Sequence, residues 1–180
     1  DLLINISASP YIKDRLRTRK QIIKEKVSET KLPFFYCNMV GAQDELIFDG
    51  QSVAYSSDGK LIGCSKSFVE DILIVNSQSK ANLISKSTSN EDNIYKALCL
   101  GVEDYFKKTG QYEAVIGLSG GIDSSLVASI AVDALGSENV HGISMPSIYS
   151  SKHSLTDARE LAKNLRIDYR VIPIQNGVNS

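Results

Sequence analysis

Residues 117–124 read GLSGGIDS, followed by Ser125, between the apolar run AVI and the apolar helical stretch SLVASIAVDAL. Gly120 and Gly121 carry no Cβ, so main-chain N–H groups there can approach an anion closely. A helix beginning at this point presents unpaired N–H donors and about half a positive elementary charge. Ser119, Ser124 and Ser125 add hydroxyl donors, and phosphate is the natural occupant. Asp123 is the informative exception. A carboxylate beside bound phosphate repels it unless a cation lies between them. Mg²⁺ meets that need, because it takes one or two carboxylates and fills other positions with phosphate oxygens. The pattern GxxxxGK[ST] is absent, which argues against a Walker-type loop cutting between β- and γ-phosphates. An ordinary Gly-Gly turn capped by serine would use the same residues; the setting at a strand–helix junction favours the cradle.

The elements that must position this loop follow Gly110. YEAVIGL reads as a strand, SSLVASIAVDAL as a helix, VHGISMP as a strand, SLTDARELAKNLR as a helix and DYRVIPI as a third strand. That alternation implies a parallel sheet with right-handed crossovers, whose ligand sits at the carboxyl ends of the strands. A preceding helix, DNIYKALCLGVEDYFKKTG, is expected to have Asn90 as N-cap, Glu91 and Asp92 in its first turn, Lys107 and Lys108 in its last, and Gly110 as its stop.

Before it, residues 77–90 (SQSKANLISKSTSN) turn polar and read as a domain linker. The front of the chain has a strand at DLLINIS and a helix over residues 13–30, with Leu16, Ile22, Ile23 and Val27 inward and a basic outer face. FFYCNMV reads as a buried strand, short strands follow through LIGCS, and EDILIVN adds one more. Asp58-Gly59 signals a hairpin.

The chain has 180 residues, of which 42% are hydrophobic and 23% charged, a globular composition. A net charge of −1 offers no global attraction to nucleic acid or anionic membrane. No apolar run approaches the roughly 18 residues of a membrane helix. Three scattered cysteines, Cys37, Cys64 and Cys99, match neither a disulfide framework nor a zinc pattern, and point to a reducing cytoplasm. His141 and His153 have no partnered nucleophile in the sequence and are expected to be satisfied structural histidines. The sequence begins without Met in a strand and stops soon after another, so it is expected to be part of a longer protein.

SGGIDSS resembles the pyrophosphate loop of the N-type ATP pyrophosphatases, which adenylate a carboxylate or amide and release pyrophosphate. MPSIYSSKHSLTDARELAKNL, residues 145–165, is similar to the segment after the second strand of NAD⁺ synthetases. NISASPY and FFYCNMVGAQDELIFDGQSVAYSSDGKLI resemble the end of a nitrilase-type amidase domain, as fused in bacterial glutamine-dependent NAD⁺ synthetases. The resemblance implies an α/β fold: the end of an α/β/β/α nitrilase-like sandwich over 1–76, a linker over 77–90, and the start of a doubly wound, Rossmann-like synthetase domain over 91–180.

It also implies ATP contacts at Gly117, Leu118, Ser119, Gly120, Gly121, Ile122, Asp123, Ser124 and Ser125, an adenine contact through the Met145 main chain, and Mg²⁺ at Asp123. Ser9 and a basic residue six positions later, Arg15, would touch glutamine, with Lys13 close by. The glutaminase Cys, Glu and Lys would precede Asp1; Cys37 is expected to be a buried structural cysteine and Glu45 structural or interfacial. Partners implied are deamido-NAD⁺ and glutamine or ammonia, in a homo-oligomer. Other readings are a different adenylating pyrophosphatase, such as a GMP synthetase or a transfer-RNA-modifying enzyme, or a non-catalytic module of the same fold. The front half and the lack of a basic appendage weigh against the second enzyme class.

Overall fold

A computed structural model describes residues 1–76 and 89–175, so most of the expected linker, residues 77–88, lies outside the described residues. The chain divides into two compact units, Asp1–Gly101 and Val102–Ser180.

In the first unit, β1 (Leu3–Ser7) leads through α1 (Arg15–Thr30) to β2 (Phe34–Asn38), which pairs with β1 in parallel. The chain then forms the hairpin β3 (Val40–Gln43) and β4 (Leu46–Asp49), and the hairpin β5 (Val53–Tyr55) and β6 (Leu61–Cys64). The main sheet runs β1-β2-β5-β6, with β5 antiparallel to β2. Strand alternation sends Tyr36, Val53 and Tyr55 to the face covered by α1, where they pack with Ile23 and Val27. Burying each of the larger apolar side chains contributes about 1.5–3 kcal/mol.

Several expectations are corrected here. Ile22 is exposed, and Arg19 takes the inward position one turn before Ile23. Cys37 is exposed and not buried, because alternation along β2 turns it to the face opposite Tyr36 and Asn38. Residues 70–76 form no strand, although their exposure does alternate, with Ile72 and Ile74 outward and Leu73 and Val75 near Gly63. Their period-two pattern is real, but among the described residues no strand pairs with them. Cys64 is partly buried, and burial pushes its thiol up from its ordinary value. The helix α2 (Asn90–Thr109) begins one residue earlier than expected: Ser89 is its cap, accepting from the Asp92 N–H at 3.1 Å. Gly110 ends it at φ 69° as expected.

In the second unit, β7 (Ala114–Gly117), α3 (Ile122–Leu135), β8 (Val140–Ser144), α4 (Lys152–Leu165) and β9 (Asp168–Val171) alternate as the sequence implies. The three strands are parallel in the order β7-β8-β9. Both helices pack on the sheet through one core, with Ala128 and Ala131 of α3, Ala158 and Ala162 of α4, and Val140 and Ile167 between them. Small residues at those helix positions allow the close approach. The opposite sheet face carries His141, half-buried between Glu113 and Asp168 at 3.6 Å each.

At the β5–β6 turn Gly59 alone takes positive φ, 79°. The Lys60 ammonium lies 2.7 Å from the exposed Asp58 carboxylate, and Ser56 also donates to it. Together they hold the Asp58 carboxyl down to about 2 from its ordinary 3.8. The depressed value means that this local stabilisation is present above the ordinary carboxyl range and fades as pH falls toward 2. NMR titration of the Asp58 carboxyl carbon should find that low midpoint, and Lys60→Ala should return it toward 3.8. A midpoint indifferent to Lys60 would remove the ion pair as the cause.

Candidate functional site

The carboxyl ends of β7 and β8 open onto a cleft of about 450 Å³ within the second unit. Gly117 and Ser119 line it from the first loop, Met145 and Tyr149 from the second, and Ser151 and Ser154 from the start of α4. The floor is fixed by hydrogen bonds that cross all three strands. The Leu118 N–H donates to the Ile143 carbonyl at 2.8 Å, and the buried Ser144 hydroxyl donates to the Leu118 carbonyl at 2.7 Å. Tyr169 Oη, from β9, donates to Ser144 Oγ at 2.9 Å. One chain of donors thus ties the loop after β7 to β8 and, through it, to β9.

The glycine loop turns on Gly120, which takes φ 80°. A Cβ there would stand 2.3 Å from the Ser154 carbonyl oxygen and 2.7 Å from its Cα. No side chain fits, because the obstacle is main chain. The contact sets the loop before α3 against the first turn of α4, and the cleft is lined by Ser119 of that loop and by Ser151 and Ser154 at the start of α4. Gly121 is less constrained: its φ is −93°, and a Cβ would meet only the Ser119 hydroxyl, at 3.4 Å.

The two helix starts differ. Ser151 caps α4 by accepting from the Ser154 N–H at 3.1 Å. The N-cap of α3 is Gly121, with no side chain to accept from the first turn. In a helix, those first N–H groups need an acceptor from elsewhere. Within the loop the serines serve one another: Ser119 Oγ accepts from the Gly121 N–H at 3.2 Å and lies 3.0 Å from Ser124 Oγ. Ser124 and Ser125 donate to the Gly121 carbonyl at 3.0 and 2.8 Å. An oxyanion would meet hydroxyls already gathered at the helix start.

Each expected nucleotide contact falls in this region. Gly117 to Ser125 form the loop and the first turn of α3, and Leu118 is buried beneath them. Met145 lies just past β8, half-exposed, with its Cε 3.6 Å from where a Gly117 Cβ would be. Asp123 is exposed in the first turn of α3, without a hydrogen bond or ion pair among the described residues. No group of three His, Cys, Asp or Glu side chains among the described residues could hold a metal alone. A lone open carboxylate beside a phosphate cradle suits Mg²⁺ shared with phosphate oxygens, and not an all-protein metal cage.

The expected histidine roles need amendment. His153 is exposed in the first turn of α4 and is not a core residue. Among the described residues the buried Nε2 of His141 has no hydrogen-bond partner, although Glu113 and Asp168 stand nearby.

In the first unit the expected pair Ser9 and Arg15 is not brought together by a hydrogen bond. Arg15 opens α1 and is exposed. The arginine that reaches Ser9 is Arg19, whose Nη2 lies 3.3 Å from Ser9 Oγ. Sequence reasoning missed Arg19, Asn38 and Asp49, which form a buried cluster around Ser9. The 19-23-27 spacing was the available signal, since it sets Arg19 on the stripe of Ile23 and Val27. Serines 151 and 154, Tyr149 and the Tyr169–Ser144 bond were missed as well.

A parallel sheet that ends one strand in a glycine loop, followed by a helix without a side-chain cap, defines an α/β protein of the nucleotide-binding kind. The comparisons with known proteins are specific. The family model described as NAD synthase matches residues 94–180. A glutamine-dependent NAD(+) synthetase from Synechocystis is 47% identical over 180 residues, covering 97% of this chain and 32% of that protein. One from Thermotoga maritima is 38% identical, covering 99% of this chain and 38% of that protein. The solved glutamine-dependent NAD⁺ synthetase of Acinetobacter baumannii, in complex with ADP, superimposes with a TM-score of 0.90 at 33% identity, over 99% of this chain and 35% of that one. The chain belongs to the glutamine-dependent NAD⁺ synthetase family and spans about a third of the length of the curated relatives it matches. The fold is therefore that of the family, a nitrilase-like part followed by a Rossmann-like synthetase part.

The geometry separates the two glycines. Gly120→Ala should lower the unfolding free energy by at least about 1–3 kcal/mol, the cost of a non-glycine residue at strained positive φ, with the main-chain clash added. Gly121→Ala should stay within about 1 kcal/mol. Chemical denaturation of the full-length protein checks both, and equal costs would contradict the close approach to Ser154.

Proposed function

We propose that this chain contributes the ATP-handling site and part of the glutaminase of a glutamine-dependent NAD⁺ synthetase. The observation that carries the reading is the α3 amino terminus, which has a glycine where a cap would stand, follows a loop that lines the cleft through Ser119, and carries in its first turn a carboxylate without a partner among the described residues. The ADP complex of the Acinetobacter baumannii relative supports a nucleotide as the occupant.

In the proposed reaction the nicotinate carboxylate of deamido-NAD⁺ attacks the α-phosphorus of ATP, and pyrophosphate leaves. Ammonia, released from glutamine, then attacks the acyl carbon; AMP leaves, and the amide of NAD⁺ remains. No enzyme nucleophile is required. What the site must supply is alignment and neutralisation of the phosphates. Main-chain N–H groups at Gly120, Gly121, Ile122 and Ser124 would bind the phosphate oxygens, with the hydroxyls of Ser119, Ser124 and Ser125. Gly117 and Leu118 would shape the floor, and the main chain at Met145 would meet the adenine. Asp123 would hold Mg²⁺, which when bound offsets phosphate charge.

Ser9 would touch glutamine in the front part, with Arg15 as the basic partner the family resemblance implies. The proposed domain limits are 1–76 and 91–180 with a linker of 77–90, whereas the compact units divide after Gly101, within α2, where that glycine lies against Ile47 of the β3–β4 hairpin. A cytoplasmic homo-oligomer without nucleic-acid or membrane partners completes the proposal. No helix of the described residues is long and apolar enough to cross a membrane.

The test is pyrophosphate release by the full-length protein with ATP and Mg²⁺. Deamido-NAD⁺ should support it and xanthosine monophosphate should not; the reverse would move the chain to GMP synthesis. Asp123→Ala should lower amide formation by two orders of magnitude or more while glutamine hydrolysis persists, as expected for loss of a charge-neutralising ligand. Unchanged amide formation would remove the metal role.

A further inference from the structure

Ser9 lies in the loop after β1, beyond the last ladder bond to β2, where main-chain groups have no strand to pair with. One side chain satisfies both of them. The Ser9 N–H donates to Asn38 Oδ1 at 2.9 Å, and the Ser9 carbonyl accepts from Asn38 Nδ2 at 3.1 Å. Asn38 is buried and doubly anchored: Tyr36 Oη donates to its Oδ1 at 3.1 Å, and its Nδ2 donates to Asp49 Oδ1 at 3.0 Å. Exchanging the amide oxygen and nitrogen would set Nδ2 against the Ser9 N–H donor and the oxygen against the Asp49 carboxylate. The network therefore assigns the orientation.

The Ser9 hydroxyl is constrained too. Arg19 Nη2 reaches Ser9 Oγ at 3.3 Å and Asp49 Oδ1 at 3.2 Å, and the guanidinium lies 5.2 Å above the Tyr36 ring. A guanidinium has donors only and stays protonated, so Ser9 Oγ accepts from it. The Ser9 proton is thereby directed to some other acceptor. Arg19 is 6% exposed and Asp49 is 1% exposed. Such a buried pair stabilises a fold no better than packed apolar residues would. Here it ends on a half-buried hydroxyl of fixed polarity.

We propose that Asn38 and Arg19 are positioning residues for the amide-donor pocket. Asn38 clamps the Ser9 main chain, and Arg19 makes the Ser9 hydroxyl a donor toward an acceptor oxygen of glutamine. This rests on the reading above that Ser9 touches glutamine. Neither residue touches substrate in this scheme; both act through Ser9.

The experiment is a double-mutant cycle in the full-length protein, following NAD⁺ formation with glutamine and, separately, with ammonia. Arg19→Lys keeps the charge beside Asp49 but loses the fork that reaches Ser9. It should raise the glutamine KM about tenfold, with kcat and ammonia-driven synthesis within about twofold. Ser9→Ala should also raise the glutamine KM, and Arg19→Lys added to Ser9→Ala should cause no further rise, because the effect passes through the missing hydroxyl. Asn38→Asp, of equal size, should likewise raise the glutamine KM while leaving the ammonia reaction intact, and serves if Arg19→Lys does not fold. An unchanged glutamine KM in folded Arg19→Lys or Asn38→Asp, or effects of Arg19→Lys and Ser9→Ala that multiply, would overturn the proposal. Ammonia-driven synthesis by the unmodified protein reports on the synthetase reading independently: its absence would sink that reading, whatever the cycle shows.

Discussion

The contact on which the site depends is a main-chain approach with no room for a side chain, Gly120 against Ser154. It couples the turn after β7 to the start of α4, and so brings two helix amino termini close together. One of these, at α4, is closed by Ser151; the other, at α3, has only Gly121 at its cap position. Helix starts carry partial positive charge and free donors, and both effects fade within a turn. Their value for an anion therefore depends on placement to within an ångström or so, which a rigid backbone contact secures better than flexible side chains.

The rest of the second unit serves that placement. Alanines on α3 and α4 let both helices lie close on the sheet, and the bonds from Tyr169 through Ser144 to Leu118 hold the loop's floor. The front unit follows the same logic with different materials. There a buried arginine, carboxylate and carboxamide converge on one serine, and polarity is fixed by donor and acceptor count.

The second unit was legible in the sequence because its signals are local. Strand and helix periods alternate cleanly from Tyr112 to Ile174, and SGGIDSS announces a strand-to-helix junction without help from distant residues. The front unit was harder to read. Arg19 of α1 occupies an apolar stripe as a charged residue, and its ion-pair partner Asp49 lies thirty positions away in the β3–β4 hairpin. Nothing local announces such a pair. Cys37 was misread because FFYCNMV looks uniformly apolar, although Tyr36 and Asn38 are the inward positions of β2. EDILIVN had the alternation of a strand, but strand formation needs a partner edge, which a segment cannot supply alone. The cradle's own strain was hidden as well: Gly120 and Gly121 look alike in sequence, and only the position of Ser154 distinguishes them.

The most direct measurement is a crystal structure of the full-length protein with Mg²⁺ and a non-hydrolysable ATP analogue. The account predicts phosphate oxygens within hydrogen-bond distance of the main-chain N–H groups at the start of α3, with the cation between them and Asp123. A triphosphate bound elsewhere, with the hydroxyls of Ser119 and Ser124 still joined to each other, would contradict it.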